Sequence, residues 1–169
     1  MHESQEPGEG GFEIALRRAT EADIERILDV QQPGAIKGLG HIFPQDQHPF
    51  PRATVADRWR MEFADAETAV YVATGSGGPV LGFAARRQDE LLHFGTALET
   101  WGTGLARWLH DELLRTYPPA VTRVRLRVFA ENLRARRFYE KCGWMQTGVT
   151  SRTQFEPYPL LIEYVRWRG

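Results

Sequence analysis

The sequence predicts a mixed α/β (α+β) fold, a central mixed β-sheet of about six or seven strands flanked by about four helices. Three observations carry this reading. Residues 69–74 and 80–86 are apolar runs joined by the turn Gly75 to Pro79, the pattern of an antiparallel hairpin. Residues 121–128 alternate strictly, with Val124, Leu126 and Val128 on one face and Arg123, Arg125 and Arg127 on the other. Around these runs the period turns helical: Leu105, Trp108, Leu109 and Leu113 share one helix face, as do Ala135, Phe138, Tyr139 and Cys142. The resulting order, β-α-α-β-β-β-α-β-α-β-β, places antiparallel strands first and a parallel crossover later.

Taken in order, residues 1–11 are polar and rich in Gly and Glu, and predict a disordered leader ahead of a single domain over 12–169. Residues 12–18 alternate at Phe12, Ile14 and Leu16 and predict the first strand. Thr20 and Asp23 have the spacing of a capping box, with Asp in place of Glu. The helix that follows should bury Ile24, Ile27 and Leu28 and end at Pro33 and Gly34. No period is visible from 31 to 52, and loops this long in compact domains are usually functional or mobile. Phe43 and Phe50 would pack this loop down; His41 and His48 would be solvated or line a pocket, and lack an evident third ligand for a metal. Thr54 is a plausible cap for a second helix with Val55, Trp59 and Phe63 inward. An apolar strand begins at Glu90. A helix over 103–115 follows and Tyr117, Pro118 and Pro119 end it. Gly143 suits the end of the last helix. Residues 145–153 and 160–167 form a final antiparallel pair across a 155–159 connection.

Composition narrows the function classes. The chain has 169 residues, 42% hydrophobic and 25% charged, with a formal net charge of −1. That is an ordinary globular balance, without the basic face of a dedicated nucleic-acid binder. The single cysteine, Cys142, excludes an intrachain disulfide and a cysteine-based metal site; it is expected as a small buried hydrophobe. A reducing cytoplasm is the simplest compartment. No apolar run reaches membrane-spanning length, and no signal peptide is expected. Exposed edges of the last strands make a homodimer plausible.

The stretch 90–106 holds the chemistry. A strand runs into two glycines, Gly102 and Gly104, and then into a helix. Unpaired N–H groups of a first helical turn, with the helix dipole behind them, form an anion site, and glycine lets a phosphate approach them. A dinucleotide-binding fold would need a third glycine after its first strand, and a P-loop would need Gly-Lys-Ser/Thr; both are absent.

Two segments together resemble the GCN5-related N-acetyltransferase (GNAT) family. Trp101-Gly-Thr-Gly104-Leu-Ala106 stands where the family has Gln/Arg-x-x-Gly-x-Gly/Ala; Gly104 and Ala106 match and Trp101 departs. Asn132 to Trp144 resembles the family's Asn-x-x-Ala-x-x-x-Tyr-x-x-x-Gly-Phe, with Asn132, Ala135, Tyr139 and Gly143 matching and Trp144 in place of Phe. The resemblance covers about 12–168 and is strongest over 70–148. It implies acetyl-CoA or another short acyl-CoA as donor, no metal, and direct attack of a small-molecule or peptide amine on the thioester. It also implies a donor site made of Thr96, Ala97 and Leu98 on the strand, Trp101, Gly102, Thr103, Gly104, Leu105 and Ala106 in the loop and helix start, and Asn132, Ala135 and Phe138 on the last helix. The backbone N–H near Thr96 would stabilise the thioester oxygen, and Thr96 and Leu98 would pair with the pantetheine arm as a strand does. Asn132 would bond that arm or cap its helix. Tyr139 would serve the leaving thiolate, although its apolar face also suits core. Arg134, Arg136 and Arg137 could meet the CoA 3′-phosphate or simply be solvated.

The base is open between three readings. Strand parity puts Glu90 and Leu92 on one side with Phe94 and Thr96 if no bulge intervenes. His93 has the better suited chemistry but falls on the opposite face unless a bulge resets the parity. A chain of waters with no single base is the third. Glu99 is expected as a solvated charge. The acceptor pocket would be shaped by the 31–52 loop and the 155–159 connection, with His41, Phe43, His48 and Tyr158 as candidates by position. An acyl-CoA-binding module without turnover is the alternative to an enzyme.

Overall fold

The computed structural model describes residues 13–168. The expected leader and Phe12 lie outside them. One seven-stranded sheet runs in the order β1-β2-β3-β4-β5-β7-β6, with β1 Ala15–Arg18, β2 Thr68–Thr74, β3 Val80–Arg87, β4 Glu90–Thr96, β5 Arg123–Phe129, β6 Met145–Arg152 and β7 Leu160–Trp167. Four α-helices flank it: α1 Ile24–Leu39, α2 Arg52–Ala64, α3 Leu105–Arg115 and α4 Leu133–Lys141. All strand pairs are antiparallel except β4–β5. The crossover through α3 makes that one parallel.

Alternation along the strands divides the core in two. Ile24, Ile27, Leu28 and Trp59 of α1 and α2 pack with Val70, Val72 and Phe83. Leu113 of α3 and Tyr139 of α4 pack with Leu91, Val124, Leu126 and Val128 on the other face. Burying each aliphatic side chain contributes about 1.5–3 kcal/mol. The arginine row of β5 is not merely solvated. Arg125 pairs with Asp89 and Glu90, and Arg127 with Glu90.

The entry to α1 follows the capping expectation. The Thr20 N–H donates to Asp23 at 2.9 Å, and Arg17 donates twice to the same carboxylate. The helix does not end at Pro33. It continues to Leu39, so the irregular connection is shorter than expected, 40–51. A proline forfeits only its own helical bond and crowds the carbonyl four residues back. The turns beyond it are held by packing: a Cβ built on Gly34 or Gly38 would lie 3.9 or 3.7 Å from the Trp101 ring. Thr54 lies inside α2, whose N-cap is Pro51. The 40–51 connection is tied down by buried Ile42, by the Gln45 side chain bonding Phe43, His48 and Phe50, and by Phe43 edge-on to Phe129 at 5.5 Å. His41 donates a ring N–H to the Glu131 carbonyl at 2.8 Å. Neither histidine of this loop acts as a pocket wall among the described residues. Cys142 is buried, as expected.

Two features of β4 position the site. It pairs with β5 only at Glu90↔Arg125 and Leu91↔Leu126, and beyond Leu91 the two strands part. On its other edge, Ala85 pairs with His93 and Arg86 with Leu91, so Leu92 is an extra, bulged residue. The expected parity therefore fails. Leu92 and His93 both turn toward the α1/α2 face, where Leu92 packs with the cluster around Trp59 and His93 lies against Trp59 itself. Phe94 turns to the α3/α4 face. A bulge resets the period-2 alternation because two residues oppose one.

Candidate active site

A cleft of about 1060 Å³ opens where β4 and β5 separate. Its walls come from β4, from α1 and α2 on one side, and from the start of α4 on the other.

The strand wall exposes main-chain groups. Ala97 N–H donates to Leu81 O at 2.8 Å. In an antiparallel ladder, bonded and non-bonded pairs alternate, so the neighbouring pair Gly82↔Thr96 turns the Thr96 N–H and C=O outward, to the edge that β5 leaves open. Ala97 O is occupied by Thr100, and Leu98 O by the Trp101 N–H.

The glycine loop then delivers the start of α3. Gly102 and Gly104 have φ of +82° and +91°, which favours glycine, and a Cβ at either would meet nothing within 4 Å. Open space thus lies over the first turn, Leu105 and Ala106, whose N–H groups begin the helix. Thr103 closes the turn by donating to Thr100 O and accepting from Leu105 N–H. Asn132 caps α4, accepting from Ala135 N–H at 3.2 Å, and this leaves its NH2 group to donate elsewhere in the cleft that Asn132, Ala135 and Phe138 line.

Trp101 does not point toward the place a phosphate would take. Its indole N–H donates to the outward Thr96 carbonyl at 3.1 Å. The ring lies between the small residues of α1 and the Arg134 guanidinium, 3.4 Å from its centroid. A cation over an indole face contributes about 0.5–2 kcal/mol. Trp101 and Arg134 thus bridge α1 and α4 across the mouth of the β4–β5 opening. A cue existed in the sequence: small residues four apart on a helix, Gly34 and Gly38, make room for an aromatic ring.

Tyr139 packs behind the cleft wall against Phe94, Phe138 and Trp144, at centroid distances of 6.4, 5.4 and 5.8 Å. It is 9% exposed, and its hydroxyl has no hydrogen-bond partner among the described residues. Burial raises the phenol well above its ordinary range, so it is held as an O–H donor.

The three readings of the base have different geometries. Glu90 is held by Arg125 at 3.1 Å and by Arg127 at 3.3 Å, so both its oxygens are engaged. His93 lines the cleft, and its Nε2 lies 2.7 Å from Glu62 Oε1. Its ring is tilted against Trp59, at 4.9 Å between centroids and 53° between planes. Glu62 is the residue that reading the sequence missed. It lies 31 residues from His93 on a different element, and no local spacing marks the pair. Glu99 is exposed, as expected. From the 155–159 connection it is Phe155, rather than Tyr158, that reaches the cleft among the described residues.

An outward main-chain N–H on a strand edge, a glycine turn at a helix start and a parted pair of parallel strands thus lie together in this region of the molecule. A family model described as an acetyltransferase (GNAT) domain matches residues 33–156, and the chain belongs to that family. Solved structures agree in fold. The solution structure of apo YjaB from Escherichia coli is 19% identical, covers 90% of this chain and 96% of its own, and has a TM-score of 0.71. A spermidine N-acetyltransferase from Vibrio cholerae, in complex with CoA and spermine, is 18% identical, covers 91% of this chain and 95% of its own, and has a TM-score of 0.67. No curated protein matches the chain significantly. Among the described residues no helix is long and apolar enough to cross a membrane.

Proposed function

We propose that this protein transfers an acetyl or short acyl group from acyl-CoA to the amine of a small molecule or peptide. The observation that carries this reading is the outward Thr96 N–H at the parted β4 edge, in one cleft with Trp101 and Ala106 at the two ends of the glycine turn and with Asn132. The pyrophosphate of the donor meets the N–H groups of the α3 start, and the pantetheine arm runs along Thr96 to Leu98 and bonds Asn132. The acceptor nitrogen enters from the α1/α2 side and gives a proton to His93. It attacks the thioester carbon while Thr96 N–H stabilises the developing oxyanion. The C–S bond breaks, and the departing thiolate, bonded by the Tyr139 O–H, takes up the proton that the new amide nitrogen releases. Of the three readings of the base, this geometry favours His93, because Glu90 would first have to leave two arginines.

A binding module without turnover is the second reading. One observation favours it: the Trp101 indole already occupies the Thr96 carbonyl that a pantetheine amide would use.

Thiol release from acetyl-CoA over an amine panel separates the two. Amine-dependent release is the expected result; donor binding with no release above background supports the module. Tyr139→Phe should lower kcat about 10–100-fold with little change in the KM for acetyl-CoA. An unchanged kcat would remove Tyr139 from the chemistry.

A further inference from the structure

We infer that Glu62 is the positioning residue of a carboxylate–histidine pair, fixing His93 in the tautomer whose bare Nδ1 accepts the proton of the incoming amine. The inference deepens the acyltransferase reading and rests on it.

The geometry builds from α2. Trp59 is fully buried, and its indole N–H is pinned to Gln31 Oε1 at 2.8 Å. Glu62 follows at the next turn of the same helix. The bulge at Leu92 swings His93 onto this face, so one imidazole meets an aromatic floor and a carboxylate at once. An ionised carboxylate only accepts hydrogen bonds, so the 2.7 Å contact places the ring proton on Nε2. The neutral ring then carries its lone pair on Nδ1, which has no partner among the described residues, and the side chain lines the cleft.

Glu62 is poorly explained as a stabilising surface charge. Its Oε2 is buried and has no partner among the described residues. An orphaned carboxylate oxygen in a cleft wall is a standing cost, and an apolar side chain would avoid it. The carboxylate becomes useful when the ring is protonated, because the imidazolium then lies between an anion and the indole face.

The other charges on this side are already engaged. Asp65 pairs with Arg87, Glu90 pairs with Arg127 and Arg125, and Arg58 rests over the Phe155 ring. Arg134, Arg137 and Lys141 line the α4 wall. Glu62 is the carboxylate that reaches His93.

In the step, the acceptor ammonium passes one proton to Nδ1 and the freed lone pair forms the N–C bond. The C–S bond then breaks, and the surplus proton of the new amide nitrogen passes to the departing thiolate, which leaves as the CoA thiol. The imidazolium returns its proton to water at the cleft mouth.

The full chain, labelled with 15N at histidine, tests the pairing by ring-nitrogen spectra at neutral pH, alongside steady-state kinetics. The expected result is an Nε2–H signature for His93 that is lost or mixed in Glu62→Gln. That variant should lower kcat about 10–100-fold and leave the KM for acetyl-CoA unchanged. In a His93→Gln background the same substitution should cost nothing further. An Nδ1–H signature in the unmodified protein, or an undiminished loss in the His93→Gln background, overturns the pairing. Turnover with an Nδ1–H signature sinks the pairing alone. An Nε2–H signature with no turnover on any amine sinks the acyltransferase reading and leaves the pairing standing.

Discussion

Two histidines lie on opposite faces of the sheet, each bonded to a carboxylate, and they differ in every respect that matters for chemistry. His110 on α3 is 1% exposed. Its Nδ1 lies 2.8 Å from Asp111, and its Nε2 accepts from the Trp144 indole N–H at 2.9 Å. An indole nitrogen only donates, so Nε2 carries no proton and Nδ1 does. Both nitrogens are spent, and burial depresses the ring's basicity. His93, a residue of the cleft lining, has only Nε2 bonded, to Glu62, and no partner on Nδ1 among the described residues. A histidine beside a carboxylate is therefore not in itself a site; a nitrogen left over, next to open space, is what makes one.

The largest expected effect tests the open side of this comparison. His93→Gln should lower kcat about 100–1000-fold while the thermal midpoint barely moves, as thiol-release assays and a melting curve would show. A loss of similar size in stability would make His93 a second structural histidine.

The closed side should respond in stability instead. Trp144→Phe removes the donor to a buried Nε2 and should cost about 1–3 kcal/mol in urea unfolding, with kcat unchanged. Adding His110→Leu should restore part of that loss, because no orphaned acceptor then remains. The pair also predicts a pH dependence. The unfolded histidine takes up a proton near its ordinary value of 6.5, and folded His110 resists until lower pH. The unfolded chain thus binds more protons in that window, so stability is complete above 6.5 and falls as the solution is acidified below it. The double variant should lose this slope and His93→Gln should keep it. A second, lower slope belongs to Asp23, whose carboxyl the Arg17 hydrogen bond holds below 3.8. Its contribution is present above 3.8 and lost below.

The smallest effect lies between the two faces. Trp101→Phe keeps the ring over Gly34 and Gly38 but frees the Thr96 carbonyl. The KM for acetyl-CoA should fall about two- to ten-fold, the value of one hydrogen bond, with kcat and stability held. A rise in KM would mean that the indole contacts the donor rather than competing with it.

Local rules made much of this molecule legible. The glycine turn before α3, the Asn132 cap and the Thr20–Asp23 box depend on residues within a few positions of one another, and each sits where the pattern places it. The strict alternation of β5 likewise predicts the buried row of Val124, Leu126 and Val128. The same rules misplace the end of α1, because Pro33 is a local stop signal and the reason to continue is Trp101, some seventy residues onward.

The acceptor side was the least readable. Period-2 counting carries Glu90 and Leu92 with Phe94 and Thr96, and one unmarked residue, Leu92, reverses it. Nothing in the spelling of β4 shows whether Ala85 pairs with His93 or slips by one, because register is decided by what each face buries against its neighbours.

Short-range chemistry in the chain itself was thus enough for the element order, the glycine turn before α3 and the family. Tertiary structure alone decided which histidine lines the cleft and which is buried with both ring nitrogens bonded. That choice depends on a bulge set by strand pairing, a carboxylate on another helix and an indole held by a third element. Such contacts form only when distant segments pack, and their energies belong to the packed state rather than to any window of sequence.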